Sequence, residues 1–279
     1  IMPRTADIQK LSHQFLPTDA VLTNWEGLEP YFKTLLAQDL DSVATLEKWL
    51  QNLSELEAFI SEDACWRQIK MTCDTTDKSL EESFNFFCME IQPKMQPYAD
   101  ALNKKLIACP YTAQLNQSAY FTYLRSVKKS IELFREENIP IQAELSVLQQ
   151  QYGTIAGKMT IQFKEQEYTL QQAAQFLESP DRAIREEVYL KIQERRLQDQ
   201  TSMHDLFSSL IQKRNQVAIN AGFANYRDYK FQELGRFDYA KEDCYQFHEA
   251  IKLHVLPLID KIYARKKKKL GLTTLKPWD

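Results

Sequence analysis

The sequence predicts a mainly α protein, a stack of antiparallel helices interrupted by one short β-hairpin. Three observations carry that expectation. Apolar residues recur at three-four spacing along most of the 279 residues, the pattern of helices with one buried face. Six glycines occur, none between Gly27 and Gly153; tight hairpins usually place Gly at positive φ, so this gap argues against sheet in the front half. The period switches from helical to alternating at one place, Met159 to Phe163.

The elements follow in order. Residues 1 to 40 mix prolines and aromatics (Pro3, Pro17, Trp25, Pro30, Tyr31, Phe32) and are expected to begin extended. Val43, Leu46, Leu50, Leu53 and Ile60 then mark a helix, with Asp41 placed to cap it. Leu80, Phe84, Phe87 and Ile91 form a second stripe, expected to end at Pro93 and Pro97. Leu115, Ala119, Tyr123 and Val127 form a third, running to Phe134 before Pro140, and Ile141, Leu145, Leu148, Tyr152 and Ile155 a fourth. Such faces must bury against one another, which favours antiparallel stacking. Met159, Ile161 and Phe163 alternate with polar residues, and Tyr168-Thr169 follows a polar turn, predicting the hairpin.

Ser179-Pro180 is placed as the N-cap and first-turn proline of a helix through Ile184, Val188 and Ile192. Leu206, Leu210, Val217 and Ala221 mark the next, with Gly222 as its stop. A last long helix runs from about Asp238 through Phe247, Ile251 and Leu258, bent at Pro257.

Composition narrows the function classes. The chain is 44% hydrophobic and 26% charged with a net charge of −3, a globular balance with no electrostatic reason for nucleic acid as a partner. Five cysteines without a CxxC pair argue against a disulfide framework or a structural zinc cluster. No run of ~18 apolar residues and no signal pattern is present, so no membrane association is expected and the cytoplasm is the expected compartment.

A hydrolytic zinc site needs two histidines one helical turn apart, as HExxH provides. The four histidines are His13, His204, His248 and His254. His248-Glu249 is the nearest fragment, but six residues advance a regular helix by ~240°, so His254 points away. His204-Asp205 lacks a nucleophile in a recognisable motif, and Glu81-Glu82, Glu136-Glu137 and Glu186-Glu187 are neighbours that do not share a helix face. Arg265 to Lys269 is a run of five cations, either an acidic-partner patch or a solvated helix end complementing the macrodipole; the acidic balance of the chain favours the second. No catalytic, substrate-binding or metal-ligating residue is assigned on these grounds.

The last third carries a resemblance. Asp181-Arg182 and Arg185-Glu186 follow the hairpin, then come Arg214, Ala218, Ala221-Gly222-Phe223, Asn225-Tyr226 and Asp228-Tyr229. Arg265-Lys266-Lys267, Leu270-Gly271-Leu272 and Leu275-Lys276-Pro277-Trp278-Asp279 complete the order. This order resembles the middle of oligoendopeptidase F and related thimet-type zinc oligopeptidases, well over 160 to 279 and by pattern before that. The resemblance implies the front part of a two-lobed helical metallopeptidase with an internal channel for short peptides. It also implies a division into an N-terminal helical domain, 1–177, ending in the hairpin region, and the start of a peptidase domain, 178–279.

In such enzymes a zinc-polarised water, deprotonated by the motif Glu, attacks the peptide carbonyl. The zinc ligands and catalytic residues of the family lie downstream of Asp279, so none is carried over. The chain by itself is expected to be inactive, with oligopeptides and the C-terminal catalytic half as partners. Leu272, Leu275, Pro277 and Trp278 are expected to lack neighbours here. The alternative is a truncated, non-enzymatic helical module that binds peptides or a partner.

Overall fold

The computed structural model describes residues 13–279; Pro3 and the extended start expected around it lie outside the described residues. The chain forms two compact units, one built from the chain up to Val147 with Gln216–Ala224, the other from Leu148–Asn215 with Asn225–Asp279. Helices α1 (Trp25–Ala37), α2 (Val43–Cys73), α3 (Lys78–Phe86), α4 (Gln92–Ala108) and α5 (Gln117–Leu133) belong to the first. Helices α6 (Asn138–Gly157) and α9 (Gln200–Asn220) run from one unit into the other. The second unit holds the hairpin β1 (Thr160–Phe163) and β2 (Gln166–Thr169), the short α7 (Leu170–Ala173) and α8 (Arg182–Gln198). It also holds α10 (Tyr226–Glu233), α11 (Lys241–Ala250) and α12 (Leu256–Lys269). The mainly helical fold with one two-stranded antiparallel sheet is as expected.

In the first unit the core is a continuous layer of Leu28, Phe32 and Leu35 from α1, Leu46, Trp49 and Leu56 from α2, Leu102 and Leu106 from α4, and Leu124 and Val127 from α5. Trp49 is fully buried, and its indole N–H donates to the Leu35 carbonyl at 2.9 Å. That carbonyl is one of the last in α1, which has no basic residue in its own last turn. Lys105 of α4 supplies the missing charge, donating to the Leu35 and Leu36 carbonyls at 3.1 and 2.7 Å and also to Gln38. A cation at the negative end of the helix dipole and donors for orphan carbonyls are both satisfied by one side chain. Truncating Trp49 to alanine removes packing worth about 3–5 kcal/mol.

Several expectations are corrected. Trp25, Pro30, Tyr31 and Phe32 are helical, not extended; Asn24 caps α1 by accepting from the Gly27 N–H, and the helix goes on through Pro30, one turn past its start. Ser42, not Asp41, is the N-cap of α2, in a reciprocal capping box with Thr45. Asp41 instead accepts from the Thr45 hydroxyl at 2.7 Å.

Pro93 and Pro97 do not end their helix. α3 passes through a π-turn, Phe87–Ile91, directly into α4. In that widened turn the Gln92 N–H reaches the Phe87 carbonyl five residues back, so the absent N–H of Pro93 falls where the regular ladder is already broken. Pro257 is treated the same way: a π-turn, Ile251–Val255, precedes it at the head of α12. The buried residues of α5 are Leu124, Val127 and Leu133, with Tyr120 partly covered, while Ala119 and Tyr123 lie on the exposed side. Leu115 and Val127 of the expected stripe are buried, while Ala119 and Tyr123 are replaced on the inner face by Tyr120 and Leu124.

Asn138 is nearly fully buried at the start of α6. Its amide donates to the Val217 carbonyl at 3.0 Å and its oxygen accepts from Asn220 at 2.8 Å. Arg135 adds a bond to the Asn220 carbonyl. The end of α9 is fixed by Gly222 as expected: with φ +86, its N–H donates to Ile219 and the Phe223 N–H to Ala218, the pairing that closes a helix with a left-handed residue.

In the second unit, Ile161 and Phe163 of β1 are buried with Ala173, Val188 and Ile192. Lys164 and Glu165 form the hairpin turn with φ of 49 and 63. Both central residues are left-handed without Gly or Asn. The cap of α8 is Asp181, not Ser179; Asp181 accepts from Ala183 at 2.9 Å and the Ser179 hydroxyl accepts from the Asp181 N–H. Pro180 therefore precedes the helix.

Glu55 of α2 ties down the segment before α1. Its carboxylate accepts from the backbone N–H groups of Gln14, Phe15 and Leu16 at 2.8 to 3.2 Å. Burial raises its pKa, but the three N–H groups outweigh this and hold it below the ordinary 4.5. A carboxylate depressed on folding stabilises above its unfolded pKa, and that contribution is lost as pH falls through the lowered value. Glu55→Gln should cost about 1–3 kcal/mol at neutral pH. Urea melts should show the gap between the two proteins narrowing as pH drops below 4.5; a gap independent of pH would contradict this role.

Candidate functional site

In the second unit the structure brings together the sequence blocks that carry the resemblance. Arg182 and Arg185 lie in the first turns of α8, near the positive end of its dipole, where cations are unfavourable unless matched. The Pro277-Trp278-Asp279 segment matches them. The Arg182 guanidinium meets the Asp279 carboxylate at 2.7 Å and reaches Glu186 at 3.1 Å. Arg185 donates to the Trp278 carbonyl at 2.7 Å and to the Ser179 carbonyl at 2.7 Å.

The Trp278 ring lies 5.8 Å from the Arg182 guanidinium and 5.4 Å from the Tyr189 ring. Asp279 also accepts from the Lys276 N–H, and Lys266 of α12 donates to the Asp279 carbonyl. Leu272, Leu275 and Trp278 are consequently partly covered, which corrects the expectation that they lack neighbours; Pro277 is exposed. Gly271, at φ +66, closes α12 as Gly222 closes α9 and turns the chain back toward this clasp.

The same unit holds a smaller polar cluster. Asn225 caps α10 by accepting from the Asp228 N–H at 3.0 Å, Arg227 pairs with Asp228 at 2.9 Å, and Arg227 donates to the Tyr245 hydroxyl at 2.6 Å. The Arg214 guanidinium lies 5.9 Å from the Tyr226 ring. These residues set helix ends and angles. None is a nucleophile paired with a base.

The first unit contains an open groove of about 1330 Å³, bordered by the segment around His13, by α2 and by the start of α5. Two of its carboxylates are engaged, Glu55 with backbone N–H groups and Asp63 with Arg67 at 2.6 Å. Glu57 stands differently: protein crowding pushes its pKa up, with no hydrogen bond or ion pair to offset that. The residue is nonetheless exposed, so solvent screens the group and the upward push is weak. Tyr123, 37% exposed, is pushed up to about 12, by the same crowding first and then by the Glu57 charge. The groove escaped the sequence reading because its residues come from three distant segments, each with unremarkable local spacing.

The histidines do not converge. His13 bonds to the Pro17 carbonyl at 2.9 Å beside the Phe59 ring. His204, His248 and His254 lie on exposed helix surface. The π-turn Ile251–Val255 contains His254, so the 240° reckoning for a regular helix does not describe that stretch. Among the described residues no group of three or more His, Cys, Asp or Glu could hold a metal ion. Glu186 and Glu187 diverge onto Arg182 and Lys191. Arg265 to Lys269 is exposed throughout, with four lysines in the last turn of α12. The cysteines are free thiols, and burial pushes Cys88 up to about 11, away from reactivity. No helix among the described residues is long and apolar enough to cross a membrane.

Comparison with known proteins places these elements in a family. Residues 15–134 match the peptidase M3 N-terminal domain and residues 175–279 match peptidase family M3. The two M3 matches together span most of the chain, which belongs to peptidase family M3. Among solved structures it is similar to PZ peptidase A, bound to an inhibitor, at 22% identity and a TM-score of 0.87, covering 92% of this chain and 46% of that one. It is similar to a Bacillus anthracis str. Ames protein assigned as oligoendopeptidase F, at 19% identity and a TM-score of 0.87, covering 96% of this chain and 50% of that one. The oligoendopeptidase-F of Enterococcus faecium is more distant, at 13% identity and a TM-score of 0.69, covering 91% and 52%. The chain thus spans about half the length of these structures. No curated protein matches it.

The clasp gives a direct test. The Asp279 carboxyl is held below its ordinary 3.8, first by the Arg182 hydrogen bond. Its contribution is therefore present above the ordinary carboxylate range and lost as pH falls through the lowered value. Arg182→Gln should speed amide hydrogen exchange across residues 271–279 by about tenfold or more at neutral pH, the signature of local opening. Unchanged exchange in that segment would show that the clasp does not hold it.

Proposed function

We propose that this chain supplies the N-terminal helical domain, 1–177, and the start of the peptidase domain, 178–279, of a zinc metallo-oligoendopeptidase that hydrolyses short peptides in an internal channel. The observation that carries the reading is the match of both regions to family M3 in the order such an enzyme requires. The described residues do not fit a zinc site, since no donor cluster forms. The zinc ligands and the catalytic groups are therefore assigned to the other half of the enzyme, and no catalytic step is routed through this chain. The free thiols and the lack of a membrane-spanning helix among the described residues favour a cytoplasmic setting.

A surface for that other half is available. Phe247, Leu253, Leu256, Leu258, Ile262 and Tyr263 are exposed along α11, the π-turn and α12. Apolar patches of several hundred Å² are about the limit that monomers leave open. Oligopeptides are the proposed substrates. The alternative, a non-enzymatic module binding peptides or a partner, is favoured by the groove of the first unit, which needs no metal to take up a ligand.

Quenched-fluorescent oligopeptides separate the two. The chain alone, with or without added zinc, should cleave nothing. Co-expressed with the remaining catalytic half, it should form a stoichiometric complex with chelator-sensitive cleavage. Chelator-sensitive cleavage by the isolated chain would overturn the assignment of catalysis to the other half. A stable monomer that ignores that half would leave the binding module as the function.

A further inference from the structure

The segment ahead of α1 borders the groove of the first unit, and its two ends are held in different ways. Residues 13–22 form no helix or strand, only a turn in which the Ala20 N–H donates to the Pro17 carbonyl at 3.1 Å. Leu16 and Leu22 are buried, while Pro17 to Asp19 and Val21 are exposed. His13, Gln14, Thr18 and Ala20 line the groove together with residues of α2 and the start of α5. The ties run to α2, from Lys48, Glu55, Phe59 and Arg67, which follow one another at close to whole helical turns. At the first end, Glu55 accepts from the N–H groups of Gln14, Phe15 and Leu16, and Lys48 donates to the Gln14 side-chain oxygen at 2.7 Å. There the His13 ring also stands edge-on to Phe59, 6.3 Å between centroids. At the second end, Arg67 donates to the Leu22 carbonyl at 2.9 Å, itself held by Asp63 at 2.6 Å and by the Ser83 hydroxyl at 3.0 Å.

The two ends differ in what their loosening disturbs. Three N–H groups share the single carboxylate of Glu55, so one displaced side chain frees that whole end, and the apolar surface uncovered is that of Leu16 and part of Phe15. Loosening the Leu22 end disturbs a guanidinium that also joins α2 to α3 through Ser83. It pulls as well on α1, which begins at Trp25 and carries Leu28, Phe32 and Leu35 into the core. Segments with little regular structure and few buried apolar groups open locally before the helices beside them. The Glu55 end meets that description and the Leu22 end does not.

We propose that residues 13–22 are a strap, hinged where Arg67 holds Leu22 and latched where Glu55 holds Gln14 to Leu16, and that unlatching uncovers the groove wall at Phe59 while the helices stay folded. With the latched end swung out, His13 leaves the Phe59 ring and the groove loses the edge that His13 and Gln14 supply. The device needs no metal and no ligand, and it stands independently of the catalytic reading.

The test is thiol labelling of the 279-residue chain with dilute iodoacetamide, one introduced cysteine at a time: Leu16→Cys, Leu22→Cys or Phe59→Cys. Each is compared alone, with Glu55→Gln and with Arg67→Gln. Peptide mass mapping separates the introduced thiol from the exposed Cys65 and Cys73. Glu55→Gln should speed labelling at positions 16 and 59 by about tenfold, the loss of a set of charge-assisted hydrogen bonds. Arg67→Gln should speed labelling at position 22 by about the same factor and leave positions 16 and 59 within about twofold of the parent, because unlatching keeps the hinge contact. Hydrogen exchange on the unmodified chain covers the case of a variant that does not fold. There the Gln14 to Leu16 amides should exchange with a much shallower urea dependence than the amides of α2, the mark of local opening. Equal acceleration of positions 16 and 22 by Arg67→Gln would overturn the hinge, and labelling at position 16 indifferent to Glu55→Gln would overturn the latch. Labelling at position 59 that ignores Glu55→Gln would overturn the uncovering of the groove. A urea dependence at Gln14 to Leu16 as steep as that of α2 would overturn the strap altogether.

Discussion

The clasp between Arg182 and Arg185 at the head of α8 and Trp278 and Asp279 is the contact on which the second unit depends. Two arginines in the opening turns of a helix face its positive end, an arrangement that weakens the helix unless anions or carbonyls answer it. The answer comes from 97 residues away in sequence. Because Asp279 accepts from Arg182 and from the backbone N–H of Lys276, one carboxylate fixes both the side chain and the turn that presents it. Gly271 makes that return possible by ending α12 in a left-handed residue. The family's sequence blocks thus act as mutual supports, and their chemistry is that of scaffold.

The first unit rests on a different economy of partners. Trp49 and Lys105 satisfy the end of α1, Glu55 satisfies three N–H groups of the preceding segment, and Asn138 binds the end of α9. In each case a side chain from one element completes a backbone terminus of another. Buried polar groups are costly unless paired, so these contacts fix where helices begin and end while the leucine-rich layer supplies the cohesion. The two π-turns extend the same principle to prolines: widening the ladder just ahead of Pro93 and Pro257 lets long helical runs continue.

Much of this was legible in the sequence, and the exceptions have physical causes. Helical spacing located α2, α3, α5, α6, α8 and α9 but not α1 or α4, the alternation at Ile161 and Phe163 located the hairpin, and Gly222 marked a true stop, because each of these signals is local. Asp41 and Ser42 are both good caps, and only backbone geometry decides which side chain meets the third N–H. Pro93 read as a breaker because a π-turn leaves no sequence mark. Tyr123 was assigned inward because α5 offers aromatic residues on two faces. The partial burial of Trp278 and the assembly of the groove in the first unit depend on partners far along the chain, which no periodicity reveals. For the site, residue types draw attention to the histidines, but position in space decides, and they lie apart.

The central claim is that the described residues of this family M3 chain form a folded scaffold whose side chains do not assemble a metal centre. The most direct measurement is equilibrium dialysis of the purified chain against micromolar zinc, with bound metal read by elemental mass spectrometry. The expected result is far less than stoichiometric zinc, unaffected by His248→Ala or His254→Ala. One tightly held zinc per chain, lost on replacing either histidine, would contradict it.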